Sequence, residues 1–262
     1  MVSRFAAWQL VLTSFLGGIG MAGMVALATI AQSPRTPLPD QPVEIPVETP
    51  EQRSSLWQWI EQSHAAAVRA KKPLRFSQKT AQYFSPHKRY VAQATLYLTA
   101  HPEAHRQQLL SVLEITDRQT GTRQRFDSLK EVPREFLAEI PSKEGLIAAL
   151  VPLGWSQTED RLLVRQISGL FATDLISDSA WIWQAGVGHV ATVYPTVDEY
   201  DFATLLGWST THPQRVLFQT QVMGNPKVTI WAVDTQGSTQ LAQSDRPRLY
   251  GTILPATASA HR

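Results

Sequence analysis

Three segments of the chain repeat one pattern, and that pattern restricts the fold more than any other feature: FSPHKRYVAQ from Phe84, WSQTEDRLLVRQ from Trp155 and WSTTHPQRVLFQ from Trp208. Each opens with an aromatic residue and a Ser, passes through a polar turn of variable length to an Arg, and continues into an apolar run with a Gln at its end. Further into each unit comes a second apolar run: LLSVLEITDRQTG from Leu109, AWIWQAGVG from Ala180 and VTIWAVDTQG from Val228. These runs end in Gly-bearing turns, most clearly Asp117 to Gly121 and Asp234 to Gly237, and HVATVYP from His189 follows as a further strand candidate. Aromatic, β-branched and Leu-rich runs bounded by Asp, Gly and Pro turns are antiparallel strands joined by hairpins. In WIW, Trp181 and Trp183 point to one face and Ile182 to the other, so this strand is expected to be covered on both sides.

Repeats of this size, with one aromatic and one turn signature each, have the form of propeller blades. FSPHKRY and WAVDTQG resemble the repeats of TolB-type, WD40-like propellers, whose blades open with an aromatic-Ser-Pro-Asp-Gly-Lys/Arg turn and close with a strand ending in Asp and Gly. The resemblance covers Phe84 to Leu241, with departures: only the first unit keeps Pro after the Ser, none has the Asp-Gly turn, and a closed propeller uses ~4–8 blades. The whole chain also resembles a family of single-pass membrane proteins of cyanobacteria, which share the FSP…RY, WS…DRLL and LGWS…P.RVLF segments, a likeness that carries no activity with it. The expected fold is therefore all-β, an antiparallel β-meander over 84–255 with about three blade-like units and propeller-like architecture. RLYGTIL from Arg248 is expected to pair back onto the first unit, with a preceding helix capping an edge.

That body is preceded by three segments of different character. From Phe5 to Ala31 there are 27 residues without a charge; as a helix they span about 40 Å, enough for a bilayer core of ~30 Å. A cleaved secretory signal is the rival reading, since Ala26 to Ala28 resembles a peptidase site, but signal h-regions are ~7–15 residues. Residues 1–32 therefore read as a short cytoplasmic tip and a transmembrane signal-anchor helix, contacting the lipid bilayer through residues 5–31. Arg4 and the α-amino group before the span favour a cytoplasmic N-terminus. Gly18, Ala22 and Ala26 form a small-residue stripe where another helix can approach closely. Residues 33–53 contain six prolines and read as an extended, semi-stiff linker. In residues 54–83, an amphipathic helix starts at a Ser55–Gln58 capping box and stops before Pro73, with Leu56, Trp59, Ile60 and Ala67 on one face to pack on a sheet. Between Arg69 and Arg89 lie seven basic residues and no acidic one, a run suited to anionic headgroups, to an acidic partner, or simply to water. Residues 256–262 read as a flexible tail.

The chemistry-bearing motifs are few. With 24 Lys and Arg against 22 Asp and Glu, no global field recruits nucleic acid, and the absence of Cys excludes thiol nucleophiles and Cys-ligated zinc. His101, Glu103 and His105 are close in sequence, but Pro102 interrupts and the order is not that of a zinc helix. Asp198, Glu199 and Asp201 supply carboxylates for a Ca²⁺ loop without its alternating Asp and Gly pattern. Ser156 and Ser209, each in a GWS triplet, lack the G-x-S-x-G context of a nucleophile, and their repetition points to a structural role at a strand-to-turn junction. No phosphate-cradling glycine motif is present. The sequence thus assigns no catalytic, cofactor-binding or metal residue and no cofactor. It reads as a membrane-anchored, non-enzymatic interaction or assembly module facing the periplasm or thylakoid lumen, with an unidentified protein partner. The alternatives are an envelope hydrolase with a loop-built site and an accessory subunit docking through its transmembrane helix.

Overall fold

The structure, a computed structural model, describes residues 44–45, 50–138, 140, 142–197 and 200–256. The expected anchor over residues 5–31, most of the proline linker and the tail beyond 256 lie outside the described residues. Among the described residues no helix is long and apolar enough to cross a membrane.

The body is all-β and dominated by antiparallel pairing within one connected sheet, and its strands run in three successive units, each beginning one strand before the aromatic-Ser turn that opens the expected unit. The first comprises β3 (Gln82–Phe84), β4 (Tyr90–Ala100), β5 (Gln108–Asp117) and β6 (Arg123–Asp127). The second comprises β7 (Leu146–Trp155), β8 (Arg161–Leu170), β9 (Ile176–Gln184) and β10 (Gly188–Val193). The third comprises β11 (Phe202–Ser209), β12 (Val216–Gln221), β13 (Val228–Val233) and β14 (Thr239–Leu241). In each unit every strand pairs antiparallel with the next, so each is a four-stranded meander. The sheet begins before residue 84, because β2 (Leu74–Lys79) pairs with the far half of β4, from Leu74↔Ala100 to Lys79↔Thr95. The segment assigned from sequence to a basic stretch after the helix is thus strand.

The C-terminal segment binds the units to one another. β15 (Pro247–Tyr250) pairs with β11 of the third unit and, at Tyr250↔Trp155, with β7 of the second. After Gly251, β16 (Thr252–Leu254) pairs with β3 of the first unit. RLYGTIL therefore returns to the first unit as its sequence suggests, and also touches the other two. Between the first and second units, β5 and β7 pair parallel over Leu109↔Ile147 and Leu110↔Ala148.

One two-residue strand lies in the proline linker: β1 (Glu44–Ile45) pairs antiparallel with Tyr250 and Leu249. These two residues of the extended linker join the sheet because both sit between prolines, where the backbone is already extended and presents its amide and carbonyl to a strand edge.

Helix α1 (Pro50–Ala70) starts earlier than the expected capping box. Proline fits the first helical position, where its missing N–H costs no hydrogen bond, so Ser55 lies inside the helix. The helix ends in a Schellman motif: Lys72 N–H donates to Ala67 and Lys71 N–H to Val68, with Lys71 at φ 54° in a left-handed conformation where Gly is usual. Ile60, Ser63 and Ala67 are buried on one face. They meet Leu96, Leu98, Leu109, Ile147 and Ile167, so α1 covers a sheet face instead of capping an edge. Opposite it, the connection carrying α2 (Arg134–Ala138) packs Val132 against Leu146 and Ala148. β7 is consequently buried on both faces.

The main core gathers Tyr83, Tyr90, Trp155, Trp181, Trp183, Trp208 and Phe218 with aliphatic residues of all three units. Trp181, Ile182 and Trp183 are all buried, so the WIW strand is covered on both sides as its alternation requires.

Candidate functional site

The repeated serines occupy one structural position. Ser85, Ser156 and Ser209 are buried to 0%, 4% and 3% exposure, too enclosed for a solvent-facing nucleophile. Ser85 Oγ accepts from Tyr90 N–H at 3.0 Å and Ser156 Oγ from Arg161 N–H at 3.1 Å, each tying the turn to the first residue of the next strand. Ser209 Oγ accepts from His212 N–H at 2.7 Å in its longer turn. Each hydroxyl also donates to a carboxylate: Ser85 to Glu159, Ser156 to Asp160 and Ser209 to Asp245. The backbone closes each turn alike, through Ser85 N–H to Tyr90 O, Ser156 N–H to Arg161 O and Ser209 N–H to Arg215 O. Arg161 and Arg215 are therefore equivalent to Tyr90, and Arg89 stands one place earlier; the shared Arg of the sequence pattern is offset in the first unit. The Gly-like position of the first two turns is filled by Lys88 at φ 59° and Glu159 at φ 53°.

These turns are knit across units. Glu159 also accepts from His87 N–H, and Trp155 Nε1 donates to Tyr83 O at 2.9 Å. Arg161 donates to Gln214 and to Pro213 O in the third unit and lies 4.6 Å over the Trp208 ring. Deeper in, Asp178 pairs with Arg165 at 3.0 Å and accepts from Leu205 N–H of the third unit. Burial opposes the charged carboxyls of Asp160 and Asp245, but the serine and neighbouring hydrogen bonds outweigh it and hold both below the usual carboxylate value. The GWS serines thus act structurally, in the role their repetition indicates.

The other sequence candidates are not brought together. His101 accepts from Glu103 N–H through Nδ1, and His105 Nε2 stands 3.5 Å from Glu103 Oε2 on an exposed 3-10 turn. Among the described residues no three His, Cys, Asp or Glu side chains gather into a metal-holding cluster. Asp198 and Glu199 lie outside the described residues. Asp201, the remaining carboxylate of that group, accepts from Met223 N–H at 2.6 Å.

Two arrangements have no signal in the sequence, because they join residues far apart in the chain. The first is a row along β10: Thr192 Oγ1 is 3.1 Å from His189 Nε2, and His189 Nδ1 is 3.7 Å from Glu131 Oε2. The His189 ring stacks on Trp181 at 4.7 Å, and Trp181 Nε1 donates to the same Glu131 oxygen at 3.0 Å. A hydroxyl, an imidazole and a carboxylate in this order are the parts of nucleophilic hydrolysis. The second is a crevice of about 260 Å³ between the first and second units, rimmed by Arg89, Asp117, Thr120 and Thr122 over Tyr90 and Trp183. Arg89 bonds Asp117 at 3.0 Å and holds its carboxyl below the usual value. Since Tyr90 and Trp183 are 6% and 2% exposed, the crevice offers little aromatic surface to a ligand.

The third arrangement is the basic run itself. β2 pairs with β4 on one side, and among the described strands its other side has no partner. Arg69, Lys71, Lys72, Arg75 and Lys79 are all exposed around it. Among the described residues none of the five has a carboxylate within ion-pair distance. Arg75↔Thr99, Ser77↔Tyr97 and Lys79↔Thr95 lie on the outward face, where Tyr97 is 45% exposed between the two cations.

Comparison with protein-family models, with curated proteins and with solved structures returns no match for this chain.

Proposed function

We propose that the chain is a membrane-anchored interaction or assembly module, held by residues 5–31, whose propeller-like β-body faces the periplasm or thylakoid lumen. The observation that carries this reading is the uncompensated cationic edge of β2, a surface that neither the sheet nor any described carboxylate satisfies. Three four-stranded meanders joined through one C-terminal segment support the propeller-like part of the reading, as does the TolB-type likeness of the Ser turns. The test is fractionation and co-purification of the full chain against a variant lacking residues 1–43, which leaves every described element in place. The full chain is expected in the membrane fraction with bound protein and the shortened one in the soluble fraction. A full-length chain that stays soluble without treatment defeats the reading.

A second reading, an envelope hydrolase, is favoured by the Thr192–His189–Glu131 row alone. It predicts ester or amide hydrolysis that His189→Ala abolishes; activity unchanged by His189→Ala and by Thr192→Ala removes this site from consideration.

A further inference from the structure

We infer that the open edge of β2 accepts an extended, acidic segment of a partner protein as an added strand, with carboxylates alternating with apolar residues. This rests on the interaction-module reading and names the surface and the chemistry of the partner.

The backbone comes first. A strand paired on one side presents a row of free amide and carbonyl groups to the other, ready for another chain. β2–β3 runs along β4 as an interrupted strand: Thr80 bonds Ala94 through both its N–H and its hydroxyl, with β3 on one side of the break and β2 on the other. β16 covers β3, from Thr252↔Phe84 to Leu254↔Gln82, and its pairing stops there. Among the described residues the six residues of β2 have no partner on that side, where the pairing of β16 ends.

Side chains then specify what pairs. Leu74 and Phe76 are partly buried and pack with the α1 core, whereas Arg75, Ser77 and Lys79 alternate onto the outward face. An added strand repeats this alternation. Its outward residues meet Arg75 and Lys79, four residues or about 14 Å apart, with the exposed Tyr97 ring between them on β4. Its inward residues extend the apolar strip of Leu74 and Phe76. Lys71 and Lys72, in the turn before β2, add charge at one end of the same edge. Carboxylates at alternate positions are thus complementary to the cations, and apolar residues between them to the strip.

An edge cation also serves to discourage self-pairing, for which one Lys suffices. Five cations in eleven residues, from Arg69 to Lys79 and with no acidic residue among them, exceed that need. An anionic lipid surface fits less well, since the outward face offers no large aliphatic side chain beside Tyr97 for insertion and lipid leaves the strand's amides unpaired.

The test uses the full chain in detergent and a labelled, end-capped peptide of four Glu-Val repeats, read by fluorescence anisotropy. The same peptide with alternate backbone amides N-methylated keeps its charge and loses strand pairing. Saturable binding is expected, weakened about tenfold or more by N-methylation and by the exposed pair Arg75→Glu with Lys79→Glu, whose melting temperature and circular dichroism stay at the parent values. Equal binding of the N-methylated peptide overturns strand addition. Binding to phosphatidylglycerol vesicles that the charge reversals abolish, with no peptide binding, reassigns the edge to lipid. Self-association of the charge-reversed protein without peptide binding by the parent assigns the cations to preventing aggregation. If the charge-reversed chain keeps its co-purified membrane partner, this inference fails while the module reading stands; if the parent chain has no partner, the module reading fails.

Discussion

Ser85 and Glu159, 74 residues apart in sequence, are joined by a 2.7 Å hydrogen bond from the serine hydroxyl to the carboxylate. The same carboxylate accepts from His87 N–H at 3.0 Å, so one side chain of the second unit's turn fixes the turn of the first. A hydrogen bond to a charged acceptor contributes about 1.5–3 kcal/mol when well formed. Glu159→Ala is expected to lower stability by about 1–2 kcal/mol in urea unfolding, since part of the contact is solvent-exposed. Ser85→Ala in the same background should then add less than it does alone, because the two share one bond. Fully additive losses would show that the contact couples nothing.

Lys88 occupies a left-handed conformation at φ 59° in the first turn, the position where the TolB-type pattern has glycine. A side chain there costs about 1–2 kcal/mol of backbone strain, offset in part by the greater freedom of glycine in the unfolded chain. Lys88→Gly should raise the urea midpoint by the equivalent of about 0.5–1 kcal/mol. The same change at Glu159, also left-handed at φ 53°, should destabilise because it deletes the bonds to Ser85 and His87. Opposite signs at two equivalent turn positions are the discriminating result.

What the sequence made legible follows from locality. The aromatic-Ser turns stand out because the hydroxyl bonds a backbone amide three or five residues onward, a requirement written in adjacent positions. The Asp117 and Asp234 turns are legible for the same reason: each carboxylate accepts from the amide two residues on, and each turn closes at a glycine with positive φ. The Arg of the pattern misled by one place in the first unit, since Arg89 serves Asp117 while Tyr90 takes the ladder position. β1 is not legible because its partner, Leu249–Tyr250, lies two hundred residues away: the flanking prolines extend the backbone but do not say what it pairs with. The Thr192–His189–Glu131 row is equally non-local, drawing on β10 and on the loop after β6.

Gly251 lets the chain leave β15 and join β3. Its φ is 122°, and a Cβ there would stand 2.2 Å from the Phe84 carbonyl oxygen and 3.1 Å from the Trp155 ring. Because Phe84 is backbone in a paired strand and Trp155 is fully buried, neither can yield cheaply. Gly251→Ala should cost about 3 kcal/mol or more, among the larger losses for a single methyl. Limited proteolysis should then cut first near 252–256, with the rest of the body resistant. A variant of parent stability would mean that β16 is not held against β3.

Acid should loosen the turn end of the body in a way that the serines control. Burial raises the carboxyls of Asp245 and Asp160; the bonds from Ser209 to Asp245, and from Thr158 and Ser156 to Asp160, outweigh that effect and leave both below the ordinary value. A carboxylate depressed in the folded state adds stability that is complete above its unfolded value of about 3.9 and is lost as pH falls through the folded value. The urea midpoint should therefore be nearly flat from about pH 7 to 5 and decline below about pH 4. Ser209→Ala with Ser156→Ala removes hydroxyl donors that favour the charged forms, so both folded values move up toward or past the unfolded one. The double variant should start from a lower plateau at neutral pH and show a shallower decline in acid. A decline as steep as that of the parent would mean that other carboxylates, and not this pair, set the acid limb.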